Sequence, residues 1–232
     1  MHYVIGDVHG CFDEFNKMIN MINDRDNEAE FYLVGDIIDR GPKVLEMLEW
    51  AKKNIRKNSK FHMVRGNHEQ MIIDWYSDYR KLRKDTKDNN YPITRFGLDE
   101  VLNENGLLND GYVLPVVKFF ENLPLYLQVE ISNKAFVICH AFVPEWNRLK
   151  NILDGAEIDR CEYDDFLWYR GEIGYYNGEI TIIHGHTPTI ILGSDKIIKG
   201  RNVINVDCGC VYKDYGGRLA AICLETEEEF YI

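Results

Sequence analysis

The sequence predicts an α/β fold in which two packed, mixed β-sheets are flanked by helices, with a small helical cap insertion. Three observations support this prediction. The first third of the chain alternates short apolar runs with segments of helical periodicity, the middle is rich in charge, and the last part is β-rich. We expect one domain over residues 1–232, with residues 80–123 as the cap.

Three strand and helix pairs account for the first third. The first predicted helix carries Phe12, Phe15, Ile19 and Ile22 at helical spacing, and the second has Pro42 at its start. Such alternation implies a parallel sheet with right-handed crossovers. The predicted strands are YVI, EFYLVGD and KFHMVRG, and the predicted helices are CFDEFNKMINMI, PKVLEMLEWAKKNI and EQMIIDWYSDY.

The middle of the chain is polar and then gives way to strands. The run KLRKDTKDNN is typical of a solvated helix end or loop, and GLDEVLNENG predicts a short helix that stops at Gly106. Chain order alone does not pair the strands that follow. These strands are LYLQVEI, KAFVICH, EITIIHGH, NVINVD and RLAAICLE.

Composition and charge exclude several classes of function. The net charge is −11, from 27 basic and 38 acidic residues, which argues against nucleic-acid or anionic-membrane binding. An anionic substrate would therefore need positive charge concentrated at its site. We expect a cytoplasmic protein, since no apolar run reaches the ~18 residues of a membrane span and no secretory signal is evident. The six cysteines are typical of small buried residues in a reducing compartment.

Polar clusters follow the first three predicted strands, in GDVHG, GDIIDRG and RGNHE. They recur about every thirty residues, the length of one strand and helix unit. Because parallel strands present their carboxyl ends at one edge of a sheet, these clusters should converge there. Two later β-rich runs end in histidine. The candidate metal ligands at these strand ends are two Asp, one Asn and three His, among Asp7, His9, Asp36, Asp39, Asn67, His68, His140, His184 and His186.

This ligand set indicates a pair of divalent cations. Carboxylate, amide oxygen and imidazole together suit Mn²⁺, Fe or Zn²⁺, and we expect Mn²⁺. Six protein ligands are too many for one open catalytic cation but suit two that share a bridging carboxylate. Each motif alone has a simpler explanation, since a strand-end Asp often caps a helix. Their combination at successive strand ends favours the metal site.

In combination, GDVHG, GDIIDRG, GNHE, a later strand-end His and a final GHT resemble the signature of the calcineurin-like metallophosphoesterases. Within them, the chain resembles the bacterial and phage members of the phosphoprotein phosphatase family. The resemblance implies the metallophosphoesterase β-sandwich and a hydroxide between two metals that attacks phosphorus directly. It also implies that Asp7 and His9 hold one metal, that Asp36 bridges both, and that Asn67, His140 and His186 hold the other.

The resemblance implies further roles for residues near these ligands. His68 would be the general acid that protonates the leaving oxygen, and Asp39 would favour its protonated form. Phosphate oxygens would be held by Arg40, Arg65 and Arg170, because a guanidinium fork matches phosphate geometry. The roles of two further residues are left open. Glu69 either braces an arginine or caps a helix, and His184 lies at a strand end without a ligand role.

These roles lead us to expect a metal-dependent phosphomonoesterase acting on phosphoserine or phosphothreonine, with phosphotyrosine as a further substrate. The partner would be a phosphorylated protein or a small phosphoester. Asp39 and Glu69 favour this expectation, because dinucleoside polyphosphate hydrolases resemble the pattern less at these two positions. The alternative is a hydrolase of dinucleoside polyphosphates such as diadenosine tetraphosphate, which share GDVHG. A non-catalytic scaffold is disfavoured because every expected ligand is present.

Overall fold

A computed structural model describes residues 1–86, 97–171 and 179–232 of the chain. Within these ranges the strands are β1 (His2–Ile5), β2 (Glu30–Leu33), β3 (Phe61–Met63), β4 (Tyr126–Ile131), β5 (Lys134–Cys139), β6 (Thr181–His184), β7 (Ile198–Gly200), β8 (Val203–Asn205), β9 (Ala220–Cys223) and β10 (Glu229–Tyr231). The helices are α1 (Phe12–Asn23), α2 (Val44–Asn54), α3 (Asn67–Thr86), α4 (Leu98–Glu104), α5 (Asp110–Glu121), α6 (Trp146–Leu153) and α7 (Arg160–Trp168).

The strands form two mixed five-stranded sheets, which confirms the predicted fold class. The first sheet has the order β10-β9-β1-β2-β3, and β1, β2 and β3 run parallel as their alternation with helices predicts. The second has the order β4-β5-β6-β8-β7, with β5, β6 and β8 parallel and an antiparallel strand at each edge. The parallel strands of each sheet therefore share a carboxyl edge.

Apolar side chains on both faces of the sheets hold the layers together. Val4 and Tyr32 of the first sheet pack with Ile183 of the second in the layer between the sheets. Tyr3 and Ile5 alternate with Val4 and face the opposite side, where they join the core under the helices. Successive residues of a strand point to opposite faces, so each strand serves two apolar layers.

The described part of the predicted cap is helical and continuous with the main core. Helix α3 extends to Thr86, while residues 87–96, which complete the charged run, lie outside the described residues. Buried side chains of α4 and α5, such as Leu102 and Phe120, belong to the same apolar cluster as Ile5. This shared core supports our proposal that residues 80–123 and the sheets form one domain. Among the described helices, none is long and apolar enough to cross a membrane.

Candidate active site

Most of the predicted site residues converge where the carboxyl edges of the two sheets meet. Asp7 follows β1, Asp36 follows β2, and Asn67 begins α3 after β3. From the second sheet, His140 follows β5 and His186 follows β6. All five are buried. Parallel strands thus bring together residues that are far apart in the sequence.

Three lone-pair donors face one another at one end of this cluster. The Oδ1 atom of Asn67 lies 2.8 Å from Nε2 of His140 and 3.0 Å from Nδ1 of His186. His140 donates from Nδ1 to the carbonyl of Val34 over 2.9 Å, which leaves a lone pair on Nε2. Burial lowers the pKa of His140 to about 3 and that of His186 to about 2, so both imidazoles are neutral. Converging lone pairs of this kind fit a cation.

A second group lies on the other side of Asp36. Nε2 of His9 is 3.5 Å from Oδ2 of Asp36, and Nε2 of His140 is also 3.5 Å from that oxygen. His9 donates from Nδ1 to the carbonyl of Ile38 over 2.8 Å, so its Nε2 also offers a lone pair. Two groups of possible ligands, His9 with His68 and His140 with His186, both include Asp36. This arrangement fits a carboxylate shared by two cations.

Asp7 adds negative charge beside these groups without belonging to either of them. Its carboxylate accepts the backbone N–H of His186 at 3.1 Å. Burial, together with the charges of Asp207 and Asp36, raises the pKa of Asp7 well above its usual value. Asp7, Asp36 and Asp207 are thus three buried carboxylates close together, and a bound cation would hold them ionised.

Asp39, His68 and Arg40 lie next to one another beside the cluster. Nδ1 of His68 lies 2.6 Å from Oδ2 of Asp39, and Arg40 approaches Nε2 of His68 at 2.9 Å. Burial alone would lower the pKa of His68, but the Asp39 hydrogen bond and the charge of Asp36 outweigh it and raise this pKa. The second Asp39 oxygen accepts the N–H of Leu98 at 2.7 Å, which ties α4 to the pair.

The loops that present these side chains are strained. Positive φ angles occur at non-glycine site residues, which rarely adopt this region. These residues are His9, Asp36, Asp39, Arg40 and His186, with φ of 44°, 48°, 68°, 66° and 69°. Such outliers concentrate at functional sites and need support from surrounding contacts.

Glycines of the motifs permit close approach of the loops. A Cβ atom on Gly66 would lie 2.2 Å from Oδ1 of Asp36, and one on Gly185 would lie 2.1 Å from Oδ1 of Asp7. Any side chain at either position would displace a candidate ligand. The glycines in GNHE and GHT are therefore required by the carboxylates beside them.

Glu69 supports the strained Asp36 loop. Its carboxylate is fully buried and accepts the backbone N–H groups of Asp36, Ile37 and Gly66 at 2.9, 3.0 and 2.8 Å. The Gly66 bond caps the start of α3, as one of the two sequence interpretations predicts, and the other two bonds join α3 to the end of β2. Burial and the charge of Asp36 raise the pKa of Glu69 to about 7.

The three predicted phosphate-binding arginines differ in their contacts. Arg40 lies in the cluster, 2.9 Å from Nε2 of His9. Arg170 is exposed, and its charge lowers the pKa of His140 and adds to the lowering at His186. Arg65 departs from the prediction, because its guanidinium donates to Gln70, to Tyr163 and to the carbonyls that close α5, at residues 121 and 123. Those contacts give Arg65 a structural role between α3, α5 and α7.

Sequence reasoning missed Asp207. This residue is buried just beyond β8, and burial raises its pKa to about 7. Its position after a parallel strand is the same signal that identified Asp36, so the rule could have found it. His184, at the end of β6, is buried with its Nδ1 3.0 Å from the Gly185 carbonyl and its ring against Phe142.

The fold and the buried donor cluster together define a class of protein. The family model of the calcineurin-like phosphoesterases matches residues 3–215, and the chain belongs to this family. Membership implies a binuclear centre of divalent cations, which the convergent donors around Asp36 fit. A phosphoester-cleaving hydrolase follows from the same membership.

Two curated relatives that match the chain are both bis(5'-nucleosyl)-tetraphosphatases. The symmetrical bis(5'-nucleosyl)-tetraphosphatase of Wigglesworthia glossinidia brevipalpis is 29% identical over 164 residues, covering 69% of this chain and 52% of that protein. The asymmetrical bis(5'-nucleosyl)-tetraphosphatase PrpE of Oceanobacillus iheyensis is 24% identical over 244 residues, covering 97% of this chain and 89% of that protein. The chain thus spans about half of the first relative and most of the second.

Solved structures share the fold. A candidate diadenosine tetraphosphatase superimposes with a TM-score of 0.64 and 17% identity, covering 100% of this chain and 92% of that one. A protein serine/threonine phosphatase from Saccharomyces cerevisiae gives 0.58 and 18%, covering 95% and 72%. At these identities the two structures support the fold alone.

The relatives' names correct one expectation. We expected a phosphatase of phosphoserine and phosphothreonine, but the matching curated relatives are bis(5'-nucleosyl)-tetraphosphatases, and that expectation is wrong. The contacts of Asp39 and Glu69 explain why these two residues, which favoured that expectation, do not identify the substrate. Glu69 binds backbone N–H groups and Asp39 binds His68 and Leu98. Both residues shape the site, and neither contact distinguishes one leaving group from another.

Proposed function

We propose that the chain hydrolyses dinucleoside tetraphosphates, with diadenosine tetraphosphate as the reference substrate. The observation that carries this proposal is the alignment with the Oceanobacillus tetraphosphatase, which covers 97% of the chain and 89% of the relative. Every candidate metal ligand in the chain lies within the residues that match the family model.

The proposed ligands are the six that the sequence predicts. Asp7 and His9 would hold one cation, Asn67, His140 and His186 the other, and Asp36 both. When bound, two divalent cations supply positive charge to the phosphate oxygens and lower the pKa of a water molecule. We propose Mn²⁺ for both positions, because carboxylate, amide and imidazole donors together suit it, as they also suit Fe and Zn²⁺.

The chain's own residues would bind the polyphosphate and move a proton. The tetraphosphate is strongly anionic and the chain carries a net charge of −11, so binding depends on local cationic groups. Arg40 and Arg170 would supply these groups as partners of phosphate oxygens. His68 would donate its proton to the leaving phosphate oxygen, and Asp39, 2.6 Å from its Nδ1, would orient the ring and stabilise the charged form.

A direct comparison of substrates tests the proposal. The purified chain with Mn²⁺ receives either diadenosine tetraphosphate or a phosphoserine peptide, and chromatography separates the nucleotides formed. We expect a higher kcat/KM for the dinucleotide, with loss of turnover after chelation. Two ADP molecules would indicate symmetrical cleavage, and ATP with AMP would indicate asymmetrical cleavage. No turnover of the dinucleotide, or faster turnover of the peptide, would overturn the proposal.

A further inference from the structure

Trp168 presents a large aromatic surface to solvent at the rim of the site. It is the last residue of α7 and is 44% exposed, one of the few large apolar side chains exposed in the described ranges. Its ring centroid lies 6.3 Å from that of His186, and the two rings are perpendicular. The indole therefore contacts a candidate metal ligand while a large part of its surface stays free.

The segment that carries Trp168 is anchored to the cluster. Phe166 is buried and stacks on Tyr126 with a centroid distance of 5.4 Å, and its carbonyl accepts the N–H of Ala141 at 2.8 Å. Ala141 directly follows His140, so the end of α7 is fixed to a candidate ligand by a backbone hydrogen bond. The exposed indole is consequently held at a fixed place relative to the donors.

The two residues after Trp168 differ in their surroundings, since Tyr169 packs against another ring and Arg170 is exposed to solvent. Tyr169 has an extended backbone and packs its ring against Phe142, at 5.1 Å between centroids. Arg170 is exposed and acts electrostatically on His140, His186 and Asp207. The Trp168 ring lies against His186 and the Arg170 charge acts on the same imidazole, so the indole and the guanidinium flank the same rim.

We propose that Trp168 is a specificity-determining residue that stacks on a nucleobase of the substrate while Arg170 pairs with the adjoining phosphates. This inference rests on the proposed function, because a dinucleoside polyphosphate offers an aromatic base joined to an anionic chain. Every base has a π face, so an indole platform selects nucleotides over base-free phosphates without choosing among bases. The base would occupy the free surface of the indole, and the polyphosphate would run past Arg170 towards the donor cluster.

The test compares substrates with and without a base. We measure kcat and KM for diadenosine tetraphosphate and for inorganic tripolyphosphate in the wild type, Trp168→Ala and Trp168→Phe. Stacking on one base corresponds to roughly a tenfold effect or more, so the preference for the dinucleotide should fall about tenfold in Trp168→Ala, through KM. Trp168→Phe keeps a ring and should retain most of the preference. Tyr215→Ala is the matched control, since Tyr215 is an aromatic residue that is 79% exposed and is neither a candidate ligand nor a proposed substrate contact.

A binding measurement separates this inference from the proposed function. Titration of the chelated protein with ADP should quench indole fluorescence by stacking, and the quenching should disappear in Trp168→Phe. If the wild type cleaves the dinucleotide and Trp168→Ala keeps the same preference, the stacking inference fails while the proposed function stands. If the wild type does not cleave it, the proposed function fails, and ADP quenching that is equal in wild type and Trp168→Phe overturns the stacking inference separately.

Discussion

Replacement of Glu69 by Gln should destabilise the fold and weaken metal binding together. One Glu69 oxygen accepts the N–H groups of Asp36 and Gly66, and the other accepts that of Ile37. A glutamine can retain only one acceptor oxygen, and its NH₂ group would face a buried N–H donor. One unsatisfied buried donor costs about 1–3 kcal/mol, and this is the expected loss, because a carboxyl group can accept at both oxygens and an amide at only one.

Thermal unfolding measures this cost. A loss of about 1–3 kcal/mol in a chain of this size lowers Tm by about 2–12 °C. The measurement belongs at pH 6, because burial and the charge of Asp36 raise the pKa of Glu69 to about 7. Ionisation above that pH costs the wild type stability that the glutamine variant does not lose, so the difference should shrink by pH 8. Glu104→Gln, an exposed change of the same charge on α4, is the matched control. The Asp36 loop should also bind Mn²⁺ more weakly in Glu69→Gln. A Tm equal to that of the control would refute the reasoning.

Three further changes test separate parts of the site. Asp36→Asn should weaken binding of both cations, because its carboxylate belongs to both ligand groups; two Mn²⁺ ions held normally by mass spectrometry would show that the bridge is misassigned. His68→Asn should slow hydrolysis of phenyl phosphate, a poor leaving group, by up to about 10²–10⁴-fold and that of p-nitrophenyl phosphate by much less; equal losses would rule out proton donation. Arg65→Lys should lower the free energy of unfolding by about 1–3 kcal/mol through lost bonds to the carbonyls of Glu121 and Leu123 and leave the KM for diadenosine tetraphosphate nearly unchanged; a large rise in KM would return Arg65 to the phosphate site.

Much of the architecture can be predicted from the sequence because its first third obeys a local rule. Strand and helix periods alternate there. The polar residues that follow each strand can therefore be placed at one sheet edge without information about distant contacts. The pairing of β8 with β6 and β7 depends on contacts across the sheet, which local periodicity does not encode. The short strand β10 also had no clear signal, since its alternation covers only three residues.

The positions of individual side chains were harder to predict than the convergence of the motifs. Arg65 precedes Asn67 by two residues, yet its guanidinium donates to the carbonyls of Glu121 and Leu123 at the end of α5. The last carbonyls of a helix lack partners within the helix, and the GNHE motif gives no sign that Arg65 would be their donor. Asp207 also lies close to the candidate ligands. It was not predicted, because the strand before it, β8, carries none of the recognised motifs and belongs to the second sheet. The motifs did not reveal the substrate, because Asp39 and Glu69 make contacts that any phosphoester hydrolase of this fold could use.

The division of candidate ligands between the sheets has a physiological consequence. Asp36 and Asn67 follow strands of one sheet, while His140 and His186 follow strands of the other, so a cation held by these four residues would join the two halves of the sandwich. A ligand that binds only the native state adds to its stability by mass action. Metal starvation would then loosen the sandwich and expose the chain to proteolysis, so that cation supply would govern the abundance of the protein as well as its turnover rate.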